Sequence, residues 1–257
     1  MKVRMYNVGF GDCFCLRDRK KSLLVDFGTN NSRIEGRPRR EIFDVIISDL
    51  STIKSKNLLL THFHMDHLSG LLYMMKKKDI SVDFGKIYLP DVFSKKEMSR
   101  TLVLLLLADL LKESGLPSRQ VSLFALVDAL LENKQNVELL SRGKLFENKY
   151  QALWPDTDVI RKETDEVYNR ICEDGKFKEV MDVLLEFAEK LRLIVWSMTA
   201  EGNKPAETVE KETDLTASEL TEQPEVRQKI IRAYVYEREF RRIKALPDFK
   251  KLLACRP

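Results

Sequence analysis

At 257 residues the chain is long enough for one large domain or two small ones, and with 33% charged and 44% hydrophobic residues it has an ordinary globular composition. Its formal net charge of +4 is too small either to require or to exclude a nucleic-acid partner. The four cysteines form no C-x-x-C pair, which argues against a disulfide framework and indicates reduced thiols in a cytoplasmic protein; they are Cys13, Cys15, Cys172 and Cys255.

The N-terminal residues alternate between strand and turn patterns. Residues 3–8 alternate apolar and polar side chains, which predicts a strand with one buried face, and no signal peptide precedes them. A glycine-rich turn at residues 9–12 separates them from residues 13–16, which form a hairpin with residues 22–27. That turn is not a phosphate-binding loop, because no G-K-[ST] follows it. Its neighbours Cys13 and Cys15 are predicted to be small core residues.

The next part of the chain alternates helices with buried strands. The apolar spacing of residues 41–54 predicts an amphipathic helix. Residues 58–61 are predicted to form a buried strand, residues 68–75 begin a second helix, and residues 85–90 form a further strand that proline ends. This alternation predicts an α/β layered fold.

The later part of the chain is predicted to be mainly helical. Residues 94–133 form two helices, and their most apolar segment, 101–111, is too short to span a bilayer and contains a charge, so it is predicted to be a buried helix. Residues 150–155 form one more strand, on which Trp154 is predicted to pack into the core. Helical spacing returns over residues 159–196, and again over residues 228–244.

The three histidines of the chain all lie within residues 61–70, where they join one aspartate in the pattern H-x-H-x-D-H. Imidazole and carboxylate are the usual nitrogen and oxygen ligands of Zn²⁺, and they also serve Fe²⁺ and Mn²⁺. Since residues two apart on an extended segment point the same way, His62 and His64 are predicted to reach one metal together. The turn into the next helix aims Asp66 and His67 at a second metal, roughly 3.5–4 Å away in sites that hold a hydroxide between two ions.

Three stretches of the sequence resemble the opening motifs of the metallo-β-lactamase-fold hydrolases. They are Val8-Gly9-Phe10-Gly11-Asp12-Cys13, Leu24-Val25-Asp26-Phe27-Gly28 and the stretch from Leu60 to Gly70. The first is similar to the branch that includes the domain of bacterial competence proteins, and residues 150–155 resemble the strand that follows the metal loop in many such proteins. The resemblance implies an αββα sandwich, of which the N-terminal half is evident here, with two metals, usually zinc, at the edge of the sheets.

The resemblance also implies a role for each residue of the motif. His62 and His64 would serve the first metal, and Asp66 and His67 the second. Asp66 would in addition have the catalytic role of orienting the bridging hydroxide, which would attack an electrophilic carbonyl or phosphorus. Asp26 would hold the metal loop in place, a supporting role that matters for metal affinity.

The sequence departs from the family pattern after the motif. That pattern needs a third histidine on the first metal, a bridging aspartate and a last histidine on the second metal, yet no histidine follows His67. Asp156 follows a strand but lacks the surroundings expected of the bridge. Two explanations are open: a truncated chain, or a complete but degenerate member that no longer turns over substrate. We favour truncation because the four ligands of the metal loop are intact.

The expected organisation is an incomplete metallo-β-lactamase-like domain in residues 1–160, followed by a helical insertion or extension in residues 161–257 with a polar linker near 199–225. The expected function is metal-dependent hydrolysis of an ester, lactone or phosphodiester, with two zinc ions in a complete site. The alternative is a non-catalytic binding or regulatory module whose helices from residue 161 onward contact a partner. A small molecule or a phosphodiester is the expected substrate, a nucleic acid rests on analogy with nucleases of this fold, and no membrane partner is expected.

Overall fold

The computed structural model describes most of the first 200 residues. The described residues are 1–18, 21–77, 83–113, 123–133, 135–173, 175 and 177–200. The linker predicted near 199–225 lies almost entirely outside them, and the helix predicted over 228–244 lies wholly outside them. The chain divides into two compact units, residues 1–92 with 105–160, and residues 93–104 with those from 161 onward. The assignment of separate roles to residues 1–160 and 161–257 stays a prediction.

Ten short or medium strands are formed by the described residues. In chain order they are β1 (Lys2–Met5), β2 (Phe14–Asp18), β3 (Lys21–Val25), β4 (Arg33–Ile34), β5 (Arg37–Pro38), β6 (Ser55–Leu59), β7 (Ile87–Pro90), β8 (Val137–Leu140), β9 (Leu145–Phe146) and β10 (Tyr150–Gln151). Six of them form one sheet in the order β1-β2-β3-β6-β7-β8, while β4 pairs with β5 and β9 with β10. The sheet is antiparallel from β1 to β3 and parallel from β3 to β8.

Six α-helices accompany the strands within the described residues. They are α1 (Arg39–Ser51), α2 (Met65–Lys76), α3 (Ser99–Glu113), α4 (Leu123–Glu132), α5 (Thr157–Glu173) and α6 (Lys178–Ser197). Strands β3, β6, β7 and β8 thus alternate with helices, as parallel strands require. The predicted α/β fold class, with a helical region after the last strand, is confirmed.

Helices α1 and α2 contact each other, and α1 also contacts the β4–β5 pair. The predicted apolar stripe of α1 is buried as a whole: Ile42, Phe43, Ile46, Ile47 and Leu50. Leu24 and Leu58 are cross-strand partners with no exposed surface, and they lie in the core. Phe27, just after β3, packs edge-on against Phe43 with ring centroids 5.2 Å apart, so α1 fixes the chain immediately beyond Asp26.

A smaller apolar cluster contains Leu23, Tyr88, Leu140, Phe146 and Ala152, so the β9–β10 hairpin packs on strands of the sheet. The core position predicted for Trp154 is wrong, because this side chain is 57% exposed. The buried face predicted for the first strand is also wrong, since every residue of β1 is exposed. β1 is an edge strand, and alternation alone does not tell which faces other elements cover.

The second unit is helical in its described part. Arg100 of α3 donates to Asp165 of α5 over 2.9 Å, and Arg100 lies over the ring of Tyr168. Helix α6 buries an apolar stripe at helical spacing: Val180, Leu184, Phe187, Leu191 and Ile194. The segment 101–111 forms part of α3, and Leu102, Val103 and Leu106 in it are fully buried, as predicted. Among the described residues, none of the helices combines the length and the hydrophobicity that crossing a membrane requires.

Asp49 ties α1 to the edge of the sheet, and we expect its replacement to destabilise the fold in a pH-dependent way. Its carboxylate accepts from Tyr6, from Arg17 at 2.8 Å and from Arg4 at 2.7 Å. Burial opposes ionisation, but the hydrogen bond from Tyr6 and the two guanidinium groups outweigh it and lower the pKa of Asp49. A depressed folded-state pKa stabilises the protein above the unfolded pKa of about 3.9, and this stabilisation is lost as the pH falls through the folded value.

Asp49→Asn should therefore lower the free energy of unfolding by about 1–2 kcal/mol at neutral pH, with a much smaller difference near pH 2–3. Urea denaturation at both pH values measures this. Glu41→Gln, on the exposed side of the same helix, serves as the control and should change stability by less than about 0.5 kcal/mol. A pH-independent loss at Asp49 would contradict the charge-based explanation.

Candidate metal centre

The histidine motif lies at the carboxyl ends of two neighbouring parallel strands. Asp26 directly follows β3, whereas His62 and His64 lie between β6 and α2. Asp66 and His67 occupy the first turn of α2, where acidic groups interact favourably with the helix dipole. Because the carboxyl ends of parallel strands meet at one edge of a sheet, the topology brings these segments together.

Asp26 is a buried carboxylate that connects the end of β6 to α2. It is 2% exposed and has a positive φ of 54°. One carboxylate oxygen, Oδ1, accepts from the backbone N–H of Thr61 at 2.8 Å, and Oδ2 accepts from the Thr61 hydroxyl at 2.7 Å. Oδ2 also lies 2.9 Å from Nδ1 of His67. Three donors thus surround a side chain whose burial would otherwise be costly.

These contacts fix which nitrogen of each imidazole is free. A carboxylate can only accept, so neutral His67 carries its proton on Nδ1, donates it to Asp26 and leaves the lone pair on Nε2. The Thr61 hydroxyl gives its one proton to Asp26 and can therefore only accept from Nδ1 of His62, 3.0 Å away. His62 is then also left with a lone pair on Nε2. Asp26 orients one imidazole directly and the other through Thr61.

The electrostatics differ between the two imidazoles. Burial lowers the pKa of His62, and the neighbouring His67 and His64 add to this effect, so His62 is neutral near pH 7. Burial acts in the same direction on His67, but the hydrogen bond and charge of Asp26, together with Asp66 and Asp12, outweigh it and raise the pKa of His67. Neutral imidazole beside carboxylates is the form and the setting that binds a divalent metal.

The structure brings the four residues predicted to bind metal close together. The ring centroids of His62 and His64 are 4.7 Å apart, and those of His62 and His67 are 3.8 Å apart. Nε2 of His67 lies 3.8 Å from Oδ2 of Asp66. Two ligand atoms that each lie roughly 2.0–2.2 Å from the same ion are separated by a distance close to this 3.8 Å, so Nε2 of His67 and Oδ2 of Asp66 can share one metal. The donor set of imidazoles and carboxylate suits zinc.

Asp12, Asp26 and His67 form a different group that could hold a metal, because one possible ligand atom from each lies within 4.8 Å of the others. Asp12 lies 3.7 Å from Nδ1. A metal at this place would have to displace the 2.9 Å hydrogen bond between Asp26 and His67. Since Oδ2 of Asp26 already accepts from Thr61, we favour the Nε2 side of His67 for the metal and the Nδ1 side for orientation.

Two glycine-containing turns support the first turn of α2. A Cβ added to Gly11 would lie 2.7 Å from the carbonyl oxygen of Asp66, and one added to Gly28 would lie 2.6 Å from the backbone of Asp66 and Leu68. Two backbone hydrogen bonds join these turns to α2. The N–H of Asp12 donates to the carbonyl oxygen of Asp66 at 3.2 Å, and the N–H of Phe27 donates to the carbonyl oxygen of His67 at 2.7 Å. Only glycine allows these backbones to approach so closely.

Sequence reasoning missed two residues of the centre, Asp12 and Thr61. Both lie in the motifs that resemble the family, but the sequence pattern gives neither of them a role; the aspartate that closes the glycine-rich turn is the available signal. Within the described residues, Asp156 makes its hydrogen bonds away from the motif. It precedes α5, where its Oδ1 accepts from the N–H groups of Asp158 and Val159, and Arg142 donates to its Oδ2 at 2.9 Å. Asp156 is therefore a helix-capping residue.

Comparison with known proteins agrees with the geometry. Residues 6–91 match the family model described as the metallo-beta-lactamase superfamily. A segment of 77 residues is 32% identical to "Endoribonuclease YSH1" of Mycosarcoma maydis, and the match covers 30% of this chain but only 8% of that protein. No solved structure matches the chain significantly. The segment that matches this superfamily, residues 6–91, includes Asp26 and the whole histidine motif.

Proposed function

We propose that the chain is a metal-dependent hydrolase that cleaves a phosphodiester bond. The observation that carries this proposal is the network centred on Asp26, which places the proton of neutral His62 and of neutral His67 on Nδ1 and so leaves the Nε2 lone pair for a metal, with Nε2 of His67 lying 3.8 Å from the Asp66 carboxylate. Ligand orientation of this kind is typical of metal sites.

Each residue of the centre has its own role in this proposal. His62 and His64 would hold one divalent ion, zinc by preference with Fe²⁺ or Mn²⁺ as alternatives, and Asp66 and His67 would hold another. When bound, these ions would supply Lewis-acid stabilisation of developing negative charge and an activated water. The Asp66 carboxylate would orient such a water. Asp26 binds no metal and keeps His62 and His67 in the tautomers that bind it.

Two features support a phosphodiester among the substrates considered. The related protein from Mycosarcoma maydis is named an endoribonuclease, and an endoribonuclease cleaves phosphodiester bonds. A metal-assisted site also suits a substrate whose transition state gathers charge on phosphoryl oxygens. An ester or lactone remains the small-molecule alternative, and a cytoplasmic location stays a prediction.

A second candidate function is a non-catalytic binding or regulatory module on a degenerate fold. It is favoured by the lack of any histidine after His67, which leaves each metal with two of the ligands named here. Catalytic zinc sites usually have three protein ligands. The absence of metal-dependent turnover by a metal-loaded chain, on a panel of ester, lactone, phosphodiester and RNA substrates, would favour this module.

Zinc titration followed by elemental analysis tests the proposed ligands. With two ligands per metal, the chain should bind zinc weakly and lose it to a modest excess of chelator. The double variant His62→Ala/His64→Ala should bind about half as much zinc at saturation and should lose phosphodiester hydrolysis. Asp156→Ala, which removes a carboxylate from the α5 cap, serves as the control and should bind zinc like the wild type. No zinc uptake even at high zinc would refute the site, and two tightly held ions would refute the ligand count.

A further inference from the structure

Phe10 is an exposed aromatic side chain held at a fixed place near the metal centre. It is 68% exposed. Its N–H donates to the side-chain carbonyl of Asn31 at 3.0 Å, and its carbonyl oxygen accepts from the N–H of Asn30 at 2.9 Å and from the Thr29 hydroxyl at 3.2 Å. A single exposed apolar residue needs no explanation by itself. Here, however, the backbone that carries the exposed ring is firmly anchored on both sides.

The glycines on either side of Phe10 connect it to two different parts of the structure. A Cβ on Gly11 would touch the carbonyl oxygen of Asp66, and a Cβ on Gly9 would lie 3.3 Å from the side chain of Ile34 in β4. Since consecutive Cα atoms are about 3.8 Å apart, the Cα of Phe10 lies within roughly 8 Å of that carbonyl oxygen. Two to three nucleotides of a strand, at about 3.4 Å per step, cover this distance.

Exposed arginines lie in the β4–β5 hairpin and in the first turn of α1 that follows it. They are Arg33, Arg37, Arg39 and Arg40, and the stretch 33–41 contains only two acidic residues, Glu35 and Glu41. Arg33 closes the hairpin by donating to the carbonyl oxygen of Gly36 at 2.7 Å. The structure as described gives no ion pair to Arg37, Arg39 or Arg40. This stretch carries four arginines against two glutamates and so has a net positive charge, and Asn7, just before the Phe10 turn, donates to Glu35 of the hairpin at 2.8 Å.

We propose that Phe10 stacks on a base of single-stranded RNA while Arg37, Arg39 and Arg40 contact its phosphates, so that the strand is laid across the metal loop. An exposed aromatic ring and an adjacent basic surface are the two components of single-strand binding. Guanidinium groups suit phosphate because their donors form a planar fork. This inference rests on the proposed phosphodiester hydrolase, since it assigns Phe10 to positioning the strand that the site would cleave.

Fluorescence anisotropy with a labelled single-stranded oligouridylate tests the inference. The measurement is made in EDTA, so that binding is separated from hydrolysis. Phe10→Ala should raise Kd roughly 5- to 150-fold, the range that corresponds to the loss of one base stack, whereas Phe10→Trp should retain affinity. Leu145→Ala removes an apolar side chain of similar exposure, 69%, from the β9–β10 hairpin and should leave Kd unchanged.

An abasic oligonucleotide of the same length separates stacking from charge. The wild type and Phe10→Ala should bind it equally weakly, because it keeps the phosphates but has no bases. Arg37→Ala should lower affinity for both oligonucleotides and reduce the slope of log Kd against log salt concentration by about one. Equal Kd values for the wild type and Phe10→Ala on oligouridylate would overturn the inference, as would a lack of binding by the wild type.

Failure of the proposed hydrolase is measured separately, by zinc-dependent cleavage of the same RNA. Phe10-dependent binding in EDTA without cleavage in zinc would support the stacking contact and refute the hydrolase. Cleavage in zinc with no effect of Phe10→Ala on either binding or cleavage would support the hydrolase and refute the stacking contact.

Discussion

Asp26→Asn is expected to lower the affinity of the chain for zinc roughly 10- to 100-fold, the usual effect of replacing a residue that orients a metal ligand. The substitution keeps the shape of the side chain, and Oδ1 can still accept from the backbone N–H of Thr61. The amide nitrogen that replaces Oδ2, however, is a donor. The new amide nitrogen would face Nδ1 of His67 at 2.9 Å. Nδ1 would then have to accept a hydrogen bond, so the proton of the neutral imidazole would move to Nε2.

Nε2 of His67, the nitrogen proposed to bind the metal, would then be protonated and could not bind it. His62 is disturbed as well, because the Thr61 hydroxyl can no longer donate to residue 26 and accept from His62 in the same arrangement. Loss of the charge-assisted hydrogen bonds should also lower the free energy of unfolding by about 2 kcal/mol. Competition titration with a chromophoric chelator measures the zinc affinity, and urea denaturation measures the stability.

Two matched variants make the expected result specific. Thr61→Val removes the hydroxyl that links Asp26 to His62 and leaves the direct contact with His67, so its loss of zinc affinity should be smaller than that of Asp26→Asn. Asp156→Asn makes the same chemical change at the α5 cap and should leave zinc affinity unchanged. If zinc affinity is the same in Asp26→Asn and in the wild type, Asp26 does not orient the ligands.

Gly28→Ala is the second substitution with a large expected effect. Its Cβ would lie 2.6 Å from the carbonyl carbon of Asp66 and from the backbone nitrogen of Leu68, where no flexible side chain can move aside. The start of α2 must shift, at a cost of about 3 kcal/mol. Since Asp66 and His67 lie in that turn, zinc affinity should fall together with stability.

Gly143→Ala provides the control for this experiment. Gly143 has a φ of +88° and no neighbouring atom within 4 Å of an added Cβ, so alanine there costs only backbone strain of about 1 kcal/mol. Gly143→Ala should lower the urea midpoint slightly and leave zinc binding unchanged. Equal destabilisation by the two substitutions would show that the approach of Gly28 to α2 has no special importance.

Much of the fold is predictable because the pattern of apolar residues reports burial directly. The stripe of α1 from Ile42 to Leu50 is buried as predicted, and Cys13 and Cys15 are core residues as predicted. The prediction fails where burial depends on what covers a surface. Val3 in β1 and Trp154 are apolar but 62% and 57% exposed, and no local pattern distinguishes them from core residues.

In the metal centre, too, the local motif is predictable from the sequence, whereas contacts between residues far apart in the chain are not. The motif itself is a local pattern, and its residues meet beyond the end of β6. β6 ends at Leu59, and Thr61 is instead drawn to Asp26 by two hydrogen bonds. This contact joins residues 35 positions apart, and the positive φ of Asp26 that allows it leaves no mark in the sequence for a residue other than glycine.

The most direct test of the proposed centre is the anomalous difference map of a zinc-soaked crystal measured at the zinc absorption edge. We expect a peak roughly 2.0–2.2 Å from Nε2 of His67 and from the Asp66 carboxylate, with a further peak beside His62 and His64. We also expect the hydrogen bond between Asp26 and Nδ1 of His67 to persist. A peak on the Nδ1 side, between Asp12 and Asp26, or no peak at any of these residues, would contradict the proposed centre.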